Sequence, residues 1–179
     1  DFGANIFGTV RSLFPIYARD ILSVGPEGLG VLYAASAVGA LLGAIGFSFW
    51  GGVRCAGRWI LFGVTVYGVC LLLFARSHLF WLSILLLIGS GIGDTISAFL
   101  RATINQLSSP DDLRGRMASI NSIFTNSGPQ LGQFQIGALA TIAGAEVAAM
   151  SGALMILMIV AVLLMRFPNL REYQFSRDS

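Results

Sequence analysis

LFWLSILLLIGSGIGDTISAFLRAT, Leu79 to Thr103, decides how this chain is read. Its first ten residues are as apolar as a lipid tail. Three glycines follow at alternate positions, Gly89, Gly91 and Gly93, then an acid at Asp94 and a base at Arg101. About 20 mostly apolar residues suffice for one helix to cross a bilayer, and this stretch is long enough. The rest of the sequence agrees. Of 179 residues, 55% are hydrophobic and only 11% are charged, whereas a soluble globular chain carries roughly 25% charge. A water-soluble core could match the apolar fraction but not the scarcity of charge, because its surface must be solvated. The apolar runs are continuous rather than alternating, which disfavours a membrane β-barrel.

Working outward from this stretch, six spans can be read: Phe2 to Leu22, Gly28 to Trp50, Trp59 to Ala75, Leu79 to Thr103, Pro110 to Ala143 and Ala145 to Met165. The expected fold is an all-α integral membrane bundle, with residues 1–166 forming six transmembrane helices and 167–179 a polar cytoplasmic tail. Short loops should make consecutive helices antiparallel neighbours. All eleven basic residues are arginine. Arg54, Arg58, Arg101, Arg114, Arg116, Arg166, Arg171 and Arg177 fall on one side of the bundle, against Arg19 and Arg76 on the other. The excess of arginine marks the cytoplasmic side, so both termini of this segment are expected there, as an even number of spans requires. The chain does not begin with Met and its first apolar run starts almost at once; it reads as a piece of something longer.

Polar residues inside a membrane helix face the bundle interior or a hydrated cavity. Ser90, Asp94, Ser97, Arg101, Asn105 and Ser108 recur at intervals of four, three, four, four and three, which places them on one helical face. Ile92, Ile96 and Phe99 lie away from it. Asp94 and Arg101 are roughly 10.5 Å apart along the axis; the long arginine side chain leans back toward the N-terminus. They can pair directly, with Ser97 between them, or through water or a partner helix. A lone charge near mid-membrane costs about 2.5–3.5 kcal/mol on insertion scales, which argues that the pair has a role. Arg101 can also simply snorkel to the cytoplasmic interface. Arg11 sits mid-span in the first helix, where it can contact an anionic substrate, pair with an acid or snorkel. On the fifth span Ser122, Asn126, Gln130 and Gln133 share a face suited to a hydrated path or to interhelical hydrogen bonds.

Other features read as structural. Ala35, Gly39 and Gly43, and again Gly128 and Gly132, form small-residue stripes for close helix packing. Pro15 and Pro129 should bend their helices. Ser109 to Asp112 carries a capping serine, a first-turn proline and two acids, which suit a helix N-terminus. Cys55 falls in a loop and Cys70 in an apolar run, so no disulfide is expected. His78, the sole histidine, reads as a solvated loop residue. Neither a metal cluster nor a Ser-His-Asp set can be built around one histidine. No metal or other cofactor is expected, and the chain does not read as an enzyme. A net charge of +2 is too small to argue for nucleic acid. The tetrapeptide Gly91–Asp94 resembles the GxGD signature of intramembrane aspartyl proteases, but such sites need two membrane-embedded carboxylates. Asp20, at the outer end of the first span, is the other candidate, and the accompanying PAL segment is absent.

RATINQLSSPDDLRGRMASINSIF (101–124) and GPQLGQFQIGALA (128–140) resemble the fourth and fifth helices in the C-terminal half of a major facilitator superfamily transporter. LFPIYARDILSVGPEGLGVLYAASAVGALLGA (13–44), GGVRCAGR (51–58) and PNLREY (168–173) are similar to that half's first two helices, a basic cytoplasmic loop and the tail, in the bacterial branch of drug and siderophore exporters. The resemblance implies half of a transporter built from two inverted three-helix repeats, with substrate held between halves near mid-membrane. It implies a bacterial inner-membrane protein, embedded in the lipid bilayer, that exports small organic molecules by proton antiport. Its partners would be the small-molecule substrate and an N-terminal six-helix half absent from this chain. On that reading the first and fourth spans line the cavity, with Arg11, Asp94, Arg101, Asn105, Asn126, Gln130 and Gln133 along the substrate or proton path. The GPQLG segment (128–132) also resembles part of an antiporter motif that belongs to the other half in most members. Six helices working as a homodimer remain the alternative.

Overall fold

The computed structural model describes residues 10–49, 56–108 and 114–166, and these are helical but for short connections. We number the helices α1 (residues 10–21), α2 (Gly25–Phe49), α3 (Ala56–Arg76), α4 (Phe80–Ser108), α5 (Arg114–Ala143) and α6 (Ala145–Arg166). Residues 25–49, 57–76, 80–104 and 145–166 are long and apolar enough to cross a membrane by length and composition. Apolar side chains such as Phe49, Trp81, Phe134 and Ile142 are exposed, as the lipid-facing surface of an integral membrane protein requires. α5 is 30 residues long, but its amides and hydroxyls leave it too polar to be recognised by composition. The start of the first span, the loop with Arg54 and Cys55, the Ser109–Asp112 cap and the tail from residue 167 lie outside the described residues. Cys70 is a free thiol.

Local chemistry explains the boundaries. α1 is irregular: a 3-10 turn at Val10–Leu13, one α turn at Phe14–Ile16 and a π turn at Tyr17–Ile21. Pro15 supplies no amide hydrogen and its ring crowds the preceding turn, so a uniform ladder cannot pass through it. α2 starts with Pro26 and Glu27 in its first turn, where a missing N–H costs nothing and an acid meets the positive end of the helix. α5 runs through Pro129. It stops at Gly144, whose φ of +88° suits a left-handed cap. The Gly144 amide donates to the Ala140 carbonyl at 3.1 Å, and the Gly144 carbonyl accepts from Ala148, opening α6.

The packing has an internal symmetry. α4 is held between α2 and α3, while α1 packs against α5 and α6. The first helix of each three-helix set thus inserts between the second and third of the other. α3 also lies on α6, and α6 on α5. The expectation of sequential neighbours holds for α1–α2, α3–α4 and α5–α6; α2 and α3 instead lean chiefly on α4.

Lipid offers no hydrophobic drive to bring helices together, so close backbone approach carries the association. Gly39 and Gly43 face α4: a Cβ on Gly39 would strike the Ile88 carbonyl, and one on Gly43 would lie 3.1 Å from Ile92 Cα. Gly91 returns the contact against Ser36 and Ala40. Gly93 faces the other way, its would-be Cβ 2.6 Å from the Gly63 carbonyl and 2.9 Å from the Tyr67 amide nitrogen. Gly91 and Gly93 therefore seat α4 on two helices at once. Gly128 and Gly132 are likewise buried in α5. At the end of the bundle beside the α3–α4 loop an aromatic cluster pins α1: Phe14 and Tyr17 pack on Phe74 with centroids 5.8 and 4.8 Å apart. The Tyr17 hydroxyl donates to the Ala75 carbonyl at 3.2 Å.

Candidate functional site

The glycine seams fix the rotation of α4, and that rotation decides where Asp94 goes. It is set at the edge of a small cavity of about 30 Å³, lined by Arg11 and Phe14 of α1, Ser36 of α2, Tyr67 of α3, and Ser90 and Asp94 of α4, among others. A space of this size admits about one water, and the polar half of its lining offers partners for one. Arg11 and Asp94 are exposed, while Ser36 and Ser90 are buried. Tyr33 of α2 steadies α1 here, its hydroxyl donating to the Arg11 carbonyl at 3.4 Å.

The charges form one electrostatic group. Asp94 interacts with both Arg101 and Arg11, and Tyr67 with all three. Two cations thus act on one carboxylate, and Tyr67 and Arg11 line the same cavity as Asp94. Arg101 does not line the cavity but belongs to the same charge group. The arrangement can hold a proton or an anionic group, since either an ionised Asp94 or an outside anion satisfies the arginines.

Not every member of the expected polar stripe joins it. Ser97 turns away: it is buried against α3, its Cβ 3.3 Å from a Cβ placed on Gly63. Its hydroxyl donates to the Asp94 carbonyl at 2.9 Å, so it does not bridge Asp94 to Arg101. Ser90 donates to its own helix at Leu87. The side chain of Asn105 lies outside the described residues. Asn126, Gln130 and Gln133 are exposed on α5 and do not line the cavity around Asp94. The Asn126 amide donates to the Ser122 carbonyl at 2.8 Å and hydroxyl at 3.1 Å, which shows that the two share a face.

Tyr67 and Ser36 are site residues the sequence reading missed. Tyr67 is a single phenol within the apolar run of α3, and Ser36 directly follows a member of the Ala35–Gly39–Gly43 stripe. Each was a polar group on an apolar helix, the same signal that marked Asp94. Asp20 lies at the far end of α1, 3.8 Å from Arg19 and largely exposed. It is nine residues beyond Arg11, about 13 Å along a helix, so it forms no carboxylate dyad with Asp94. His78 is not simply solvated: its Nε2 lies 3.8 Å from a Glu146 carboxylate oxygen, bringing the α3–α4 loop to the start of α6. Among the described residues no cluster of His, Cys, Asp and Glu could hold a metal ion.

Comparison with curated proteins and with solved structures found no match. A family model described as transmembrane secretion effector matches residues 2–178, nearly the whole chain, and it is of major facilitator type. With its all-α membrane bundle, the chain belongs to this transmembrane secretion effector family of major facilitator transporters.

Proposed function

We propose that the chain forms one side of a proton-coupled exporter of small organic molecules, siderophore- or drug-like, in a bacterial inner membrane. Both termini of this segment would be cytoplasmic. The observation that carries the reading is Asp94, a carboxylate within the membrane-length stretch 80–104 that shares a small cavity with Arg11, Ser36 and Tyr67. A titratable group in that position is costly and is kept where it is used. Protonation of Asp94 would release Arg11 and Arg101 for an anionic group of the substrate; loss of the proton would make the carboxylate compete for them. The exposed Asn126, Gln130 and Gln133 would line a path closed on its other side by a second six-helix unit. Rocking of the two units would then expose the path to each face in turn.

The test is export of a panel of fluorescent drugs and a catecholate siderophore, driven by an imposed pH gradient in vesicles. Asp94→Asn should abolish gradient-driven export at normal expression. Unchanged export would remove Asp94 from the mechanism. The second unit can be an N-terminal half or another copy of this chain. Phe134 on α5 is 80% exposed, and α5 packs mainly on α1 and α6. Cross-linking through Phe134→Cys would give covalent dimers if two copies pair through this face. Capture of a different six-helix segment instead would support the two-half transporter.

A further inference from the structure

α2 and α3 are splayed over α4, and the splay leaves a second, chemically opposite space. A cleft of about 150 Å³ is bounded by Leu42, Gly46 and Phe47 of α2, Trp59 of α3, and Ile92 and Ile96 of α4. Every bounding side chain is apolar, so water gains no partners there; an apolar cavity of about this volume stays dry and takes a benzene-sized guest. The cleft lies in the last turns of α2 and the first turn of α3, at the arginine-rich end of the bundle. Its rim is aromatic: Phe47 stacks on Phe99 at 6.2 Å and Trp59 meets Phe62 edge-on at 5.9 Å. Phe62 and Phe99 are themselves exposed. Arg58, one residue before Trp59, is also exposed. Aromatic rings and arginines at this level mark the depth of lipid headgroups.

Gly46 lies on the wall of the cleft. Gly39, Gly43, Gly63, Gly91 and Gly93 are each small because a neighbouring helix occupies the space. A Cβ on Gly46 would meet nothing within 4 Å. A side chain at this position would project into the cleft rather than into a neighbouring helix.

We propose that this cleft seats one acyl chain of an anionic phospholipid from the adjoining leaflet, with the headgroup held by Arg58. The hydrocarbon part of the chain fills the space between α2 and α3, which lean chiefly on α4 rather than on each other. The headgroup charge selects the lipid, and the cleft fixes its tail.

Trp59 reports occupancy directly. In a Trp50→Phe, Trp81→Phe background, the full chain in detergent is titrated with phosphatidylglycerol carrying brominated acyl chains, and separately with brominated phosphatidylcholine. Trp59 fluorescence should be quenched saturably by the anionic lipid. Gly46→Leu, which fills the cleft, should weaken that binding at least tenfold. Arg58→Gln should weaken it about fivefold, the factor expected for one interfacial arginine, and leave phosphatidylcholine unaffected. Should Gly46→Leu not fold, Leu42→Phe narrows the same space from the exposed rim and must give the same loss. Quenching that never saturates, or that survives filling of the cleft, overturns the proposal. Equal binding of the two lipids also overturns it, since the cleft would then take an apolar guest without reading its headgroup.

Discussion

Replacing Gly93 with alanine tests the central claim about packing. The new methyl would lie 2.6 Å from the Gly63 carbonyl oxygen and 2.9 Å from the Tyr67 amide nitrogen, where ordinary contact begins at 3.4 Å. Both neighbours are backbone and cannot rotate aside, so α3 and α4 must part by about 0.8 Å, the difference between 3.4 and 2.6 Å. A gap of that order forfeits a quarter to a half of the attraction for each atom pair along the seam. Overpacking of this kind costs about 1–3 kcal/mol. Gly46→Ala is the matched control, because its methyl enters open space and relieves the helix penalty of glycine, a gain of about 0.5–1 kcal/mol. The two variants should differ by about 1.5–4 kcal/mol in equilibrium unfolding by SDS in mixed micelles, followed by tryptophan fluorescence. Gly93→Ala should also impair transport, since Asp94 is the next residue and moves with the seam. If Gly93→Ala unfolds with the wild type, or Gly46→Ala loses as much stability, the glycine seam does not position α4.

The other predictions concern the ends of the helices. Tyr17→Phe removes the hydroxyl that satisfies the Ala75 carbonyl and should cost about 1 kcal/mol, whereas Phe74→Ala empties a fully buried site and should cost about 3–5 kcal/mol; SDS unfolding ranks them. Gly144→Ala places a Cβ at φ +88° and should destabilise by about 1–2 kcal/mol, measured the same way. His78→Ala should change stability by no more than about 0.5 kcal/mol, because its contact with Glu146 is exposed to solvent on both sides. A loss several times larger would show that this contact latches the α3–α4 loop to α6.

Much of the architecture was legible because a bilayer restricts the options. A span needs about 20 apolar residues and must satisfy its own backbone, so α2, α3, α4 and α6 stand out in the composition. The Ala35–Gly39–Gly43 stripe could be assigned to packing for a similar reason: small residues four apart make a groove whatever fills it. α5 was read as a span from Pro110 to Ala143, although its amides and hydroxyls dilute the apolar signal. The site was legible in part. Asp94 and Arg11 declared themselves as charges on apolar helices, while Tyr67 and Ser36 looked like minor interruptions of α3 and α2.

The sequence by itself determined that this is an all-helical membrane chain with an acid, Asp94, and two arginines, Arg11 and Arg101, within its apolar spans. Helical spacing places residues on a common face, but it does not say which neighbour that face meets. Ser97 and Asp94 share the expected stripe, yet Ser97 is buried on α3 while Asp94 opens toward Arg11. Only the tertiary structure decided this, because Gly91 and Gly93 lock α4 against two helices at once and so set its rotation. The same rotation brings Tyr67 to the carboxylate and turns Ile92 and Ile96 to the apolar cleft beside Trp59.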